Sequence, residues 1–193
     1  MCRHFVSGVL FTARITRQEM KRIQPIVITG FMGCGKSAVA RELARRLNVV
    51  MIDLDDEITA REGQTPAQLI TEAGEQAFRT IETNTLRELL ETSAANVIAL
   101  GGGAWIEGAN RDLIDHYNCV SVWLDAPFEV CWERISACAK DRPLGKTRDD
   151  AEARYNLRKP IYALARIHVA VMANENVDDL SSRIELSLTD ARR

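Results

Sequence analysis

Between the β-branched run IVIT and the segment KSAVARELARRL stands GFMGCGKS, which fits G-x-x-x-x-G-K-[ST] from Gly30 to Ser37. This spacing joins a strand to a helix through a glycine-rich turn, and such a turn belongs to an α/β fold whose backbone N–H groups converge on phosphate oxygens. The helix that follows supplies a favourable dipole at its N-terminus. Lys36 reaches the terminal phosphates, and the Ser37 hydroxyl is suited to ligating Mg²⁺. The motif points to a bound nucleotide but not to a reaction, because motors, switches and metabolite kinases all use it.

The rest of the chain alternates short β-branched runs with longer helical segments, the pattern of a parallel sheet covered on both faces. Strands are expected at residues 26–29, 49–52, 96–100, 120–124 and 167–172. In KSAVARELARRL, Val39, Leu43 and Leu47 recur at i, i+4 and i+8 with arginines between them, so the segment reads as an amphipathic helix. EQAFRTIETNTLRELLET reads as a second helix, and PFEVCWERISACA as a third opened by Pro127. The expected fold is a three-layer α/β/α domain over residues 25–193 with a five-stranded parallel sheet, preceded by a disordered leader at residues 1–24.

Charge limits the choice of partners. The formal net charge is -2 and the pI is near 6.0, which excludes a general nucleic-acid binder. Arg3, Arg14, Arg17, Lys21 and Arg22 face only Glu19 in the leader, so the remainder is acidic. An organelle transit segment, or a natural start at Met20, would also explain that leader. Nothing in it is long and apolar enough for a membrane span. The five cysteines form no C-x-x-C pair, so the expected compartment is a reducing cytoplasm.

Acidic and basic residues gather where strands end. VVMIDLDDEI puts Asp53, Asp55 and Asp56 after the second strand, on the edge where an open α/β sheet binds ligands. In extended backbone Asp53 and Asp55 would share a face, with one near a metal and the other at an acceptor hydroxyl, while Asp56 is a candidate helix cap. GEQAFRTIE sets Arg79 and Glu82 at i, i+3, where the glutamate can orient the guanidinium, although a surface ion pair has the same spacing. VIALGGGAW ends its strand in Gly101, Gly102 and Gly103, useful where a ligand approaches the main chain. KDRPLGKTRDD lacks apolar periodicity and reads as a mobile loop, a lid at about residues 140–150 whose Arg142 could swing over a triphosphate. NLRKPIYALA offers Arg158 for bidentate recognition of a carboxylate.

In order, GFMGCGKS, DLDD, GEQAFRTIE, LGGG, RPL and RKPIY resemble the shikimate kinases, small P-loop enzymes of aromatic amino-acid and chorismate biosynthesis. The resemblance runs from Ile26 to about Ala165. It implies transfer of phosphate from ATP-Mg²⁺ to the 3-hydroxyl of shikimate by a chain expected to be monomeric. It also implies that Gly33, Cys34, Gly35, Lys36, Ser37, Ala38 and Arg142 hold ATP, and that Ser37 and, through water, Asp53 serve Mg²⁺. By the same resemblance Asp55 binds the acceptor hydroxyl as candidate base. Arg79, oriented by Glu82, and Arg158 clamp the carboxylate, and Gly101, Gly102 and Gly103 face the ring. Lys36 and Arg142 join Asp55 as catalytic candidates. Two other readings stand beside this one: a kinase of another hydroxy acid such as gluconate, and a silent nucleotide-binding regulator on the same fold.

Overall fold

The computed structural model describes residues 24–137, 147–172 and 175–191. Five strands form one parallel sheet in the order β2-β3-β1-β4-β5. These are β1 (Ile26–Thr29), β2 (Met51–Asp53), β3 (Val97–Ala99), β4 (Val120–Asp125) and β5 (Ile167–Ala170). Ile26, Val27 and Ile28 are all fully buried. Successive strand residues point to opposite faces, so helices must cover the sheet on both sides.

The strand after each helix lands where its register puts it. Val27 sits beside Ile98 on one side and Ser121 on the other, so the central strand has β3 and β4 as neighbours. Chain connections leave β1 and β3 in opposite senses, which opens a crevice beyond their carboxyl ends. The glycine loop leaves β1 at that crevice. α1 (Lys36–Leu47) follows it, buries Val39, Ala40, Leu43 and Ala44 and carries Arg45 and Arg46 in its last turn, where cations complement the helix dipole. Arg46 then pairs with Asp178 at 2.9 Å and Glu185 at 3.1 Å, tying α1 to the final helix, α8 (Val177–Ala191).

The remaining helices are α2 (Leu54–Glu62), α3 (Pro66–Ala73), α4 (Glu75–Thr92), α5 (Gly108–His116), α6 (Phe128–Ala137) and α7 (Arg148–Tyr162). α3 is announced locally: Thr65 and Gln68 form a reciprocal capping box around Pro66 at the first helical position. No helix among the described residues is long and apolar enough to cross a membrane.

Several boundaries differ from those expected. The second strand starts at Met51, because Val49 N–H is already taken by Ala44 at the end of α1, at 2.9 Å. Gln24, expected in the leader, donates to Asn118 O at 2.7 Å and so belongs to the domain. Residues 1–23, the rest of that leader, lie outside the described residues. Of the expected lid, residues 140–146 and with them Arg142 also lie outside. Its last four residues are not loop: Thr147 caps α7 by accepting from Asp150 N at 3.1 Å, and Arg148, Asp149 and Asp150 form the first turn. The acidic pair favours that helix N-terminus.

Candidate active site

Gly30, Gly33 and Gly35 have φ of 142°, 79° and 100°, a backbone conformation that side chains rarely tolerate. Space is short as well, since a Cβ on Gly33 would lie 2.6 Å from the Cys131 carbonyl oxygen. The loop therefore curls as the spacing predicts. Lys36 Nζ donates to the carbonyls of Gly30 and Phe31, both at 3.0 Å, which folds the side chain back along the loop. Cys34 is buried with its Sγ 4.0 Å from that ammonium, while Ser37 and Ala38 are exposed at the start of α1.

The Ser37 hydroxyl donates to Asp53 Oδ2 at 2.5 Å. Asp53 also caps α2, accepting from Asp55 N at 3.1 Å. This corrects the expected geometry twice. Asp53, not Asp56, is the cap, and Asp55 does not share a strand face with Asp53, because the strand ends at the cap and Asp55 lies in the first helical turn. The two carboxylates diverge from one short turn.

Asp55 turns toward the glycine triplet that follows β3. A Cβ on Gly101 would lie 2.5 Å from Asp55 Oδ1 and 3.2 Å from Glu82 Oε1, so only glycine admits both carboxyls there. Burial, and then Asp53, raise the Asp55 carboxyl above the usual carboxylate range against the opposing pull of Lys36 and Arg79.

Arg79 Nη1 donates to Glu82 Oε2 at 2.7 Å, and Nη2 to Glu75 Oε1 at 3.0 Å. Arg79 is nearly buried, Glu82 fully so, and the guanidinium packs against Gly103, where any Cβ would overlap it. The pair is thus no surface ion pair. Burial pushes the Glu82 carboxyl up to about 7 although Arg79 draws it down. On the other side of the triplet, Arg158 Nη1 donates to Gly102 O at 3.2 Å, and the Tyr162 hydroxyl donates to the same oxygen at 2.5 Å. Burial lowers the Arg158 pKa, with Arg154 and Arg79 adding to the effect.

The site residues expected from the sequence therefore meet at one edge, except Arg142, which lies outside the described residues. A cleft of about 1030 Å³ runs there, lined by Lys36, Ser37, Asp53, Asp55 and Gly102 together with Gln68 of α3 and its cap Thr65. Among the described residues no three His, Cys, Asp or Glu side chains cluster as a metal cage. A hydroxyl beside a carboxylate still suits Mg²⁺, which takes few protein ligands and relies on phosphate oxygens.

Three contributors escaped the sequence reading. Arg134 of α6 donates to Gly33 O at 3.2 Å from a position 101 residues away, and no local spacing signals that. Glu75 lies four residues before Arg79, a signal that i, i+4 pairing could have supplied. Tyr162 was visible in RKPIY but carried no role until its contact with Gly102.

The family model described as "Shikimate kinase" matches residues 32–188. A shikimate kinase of Cereibacter sphaeroides is 38% identical over 177 residues, covering 89% of this chain and 86% of its own. One from Ruegeria pomeroyi is 36% identical over 167 residues and 84% of each chain. Among solved structures, the shikimate kinase of Acinetobacter baumannii in complex with shikimate has a TM-score of 0.80 at 30% identity, covering 91% of this chain and 99% of that one. With its glycine loop, sheet order and strand-end site in place, the chain belongs to the shikimate kinase family.

Proposed function

We propose that this chain phosphorylates the 3-hydroxyl of shikimate with ATP, yielding shikimate 3-phosphate and ADP. The observation that carries the reading is the convergence of Asp55, Arg79 and Arg158 on Gly101, Gly102 and Gly103 beside the phosphate loop. A small polyol acid needs cations for its carboxylate and an acceptor for its hydroxyl, and this set offers both.

In the proposed reaction Arg79, held by Glu82, and Arg158 bind the carboxylate and so aim the 3-hydroxyl at Asp55. Asp55 takes the hydroxyl proton as the oxygen bonds to the γ-phosphorus and the bond to the β–γ bridging oxygen breaks, releasing ADP. Backbone N–H groups from Gly33 to Ala38 hold the ATP phosphates, and Lys36 leaves its carbonyl partners to meet them. Ser37 and, through water, Asp53 would hold Mg²⁺, which when bound neutralises phosphate charge. By resemblance, Arg142 adds a further cation over the transferred group. The proposed working form is a monomer, in the cytoplasm where ATP is supplied.

A coupled assay of ADP release with ATP, Mg²⁺ and either shikimate or gluconate tests the reading. Release dependent on shikimate is expected. A folded protein that releases ADP only with gluconate, or with neither acid, overturns it.

A further inference from the structure

α7 links the two halves of the site. Tyr155 meets the Phe31 ring of the phosphate loop edge-on at 5.3 Å, while Arg158 and Tyr162 further along reach Gly102 O. Arg154 precedes Tyr155 and lies one turn before Arg158, roughly 6 Å nearer the phosphate-loop end along the helix axis. Residues four apart share a helix face, so Arg154 and Arg158 look the same way.

Arg154 is an anomaly in that position. Its Nε is buried without a hydrogen-bond partner. Its charge also bears on Arg158, whose pKa falls through burial, with Arg154 and Arg79 contributing. An unmet buried donor and a like-charge pair one turn apart both work against folding. One anion on the Arg154 guanidinium would relieve the like-charge pair.

Which anion follows from the order of groups along α7. The substrate carboxylate belongs to Arg158 and Arg79 at the glycine triplet, which leaves the end nearer the phosphate loop for a second negative group. The reaction creates one there, a phosphate on the acceptor oxygen. We infer that Arg154 binds the phosphoryl group on the phosphorylated acceptor, and so holds the product more tightly than the substrate. The assignment rests on the shikimate reading and names a residue that reading does not use. A nucleotide phosphate carries the same chemistry, so the test separates the two sources.

The full-length chain is titrated calorimetrically with shikimate, shikimate 3-phosphate and ATP-Mg²⁺, as wild type, Arg154→Leu and Arg154→Lys. Arg154→Leu is expected to weaken shikimate 3-phosphate about tenfold or more, the scale of a hydrogen bond to a charged group. Shikimate and ATP should change less than about twofold, and Arg154→Lys should recover most of the loss as a point charge. The ligand-free Leu variant should melt no lower than wild type, because a repulsion has been removed. Equal losses for shikimate and its phosphate, a loss confined to ATP, no loss at all, or a lower ligand-free melting temperature each overturn the inference. A wild type that binds neither shikimate nor its phosphate instead removes the reading beneath it.

Discussion

Arg79 donates to Glu82 at 2.7 Å across one turn of α4, and the carboxylate that accepts is fully buried. Burial outweighs the attraction, so Glu82 titrates at about 7 in the folded chain against 4.5 as its ordinary value. Between those values the folded state keeps a proton that the unfolded chain has lost. The stability of the ligand-free protein should therefore decline as pH rises from about 4.5 to about 7, and this contribution should level off above that. Its upper scale is about 1.4 kcal/mol for each pH unit of the interval. Urea unfolding of wild type and Glu82→Gln across pH 5 to 8 checks this, the variant lacking that part of the slope.

Asp55→Asn keeps the shape of the side chain and removes its capacity to take a proton. Turnover is expected to fall at least about a hundredfold, the usual contribution of a positioned base. ATP binding, followed by a fluorescent analogue, should stay within about twofold. A variant that retains turnover takes Asp55 out of the base role.

Arg158→Leu removes a donor aimed at Gly102 and one cation of the proposed clamp. KM for shikimate should rise about tenfold or more while KM for ATP stays near its starting value, on the scale of a charge-assisted contact. Steady-state kinetics with each substrate varied in turn reads both. An unchanged KM for shikimate contradicts the clamp.

Gly101→Ala places a methyl group 2.5 Å from Asp55 Oδ1. Asp55 and Glu82 must give way, and a displacement on the order of 1 Å at a reacting group can cost about a hundredfold in rate. Overpacking of this kind typically costs about 1–3 kcal/mol, so the variant should fold and melt a few degrees lower. Circular dichroism melting together with kcat measures both effects, and a fully active variant would show that Asp55 has room to spare.

What lay within reach of local spacing was legible in the chain itself. The glycine loop, the strand before it and the amphipathic α1 could be read because their determinants sit within a few residues of one another. Arg79 and Glu82 could be paired for the same reason, since i, i+3 neighbours meet on any helix. Whether that pair was buried could not be read, because Gly101 and Gly103, which pack against it, arrive from the turn after β3. Asp53, Asp55 and Asp56 show the limit sharply. All three stand at the end of β2, and only a hydrogen bond at the turn decides that Asp53 caps the helix and frees Asp55 to face Gly101.

The sequence by itself thus determined the phosphate loop, the alternation of strand and helix and the kinds of side chain available to a kinase. Tertiary structure alone decided which of them meet. Arg134 reaches Gly33 and Arg158 reaches Gly102 across 101 and 56 residues. Those separations carry no spacing signal, and they close only because parallel strands in the order β2-β3-β1-β4-β5 deliver their carboxyl ends to one edge.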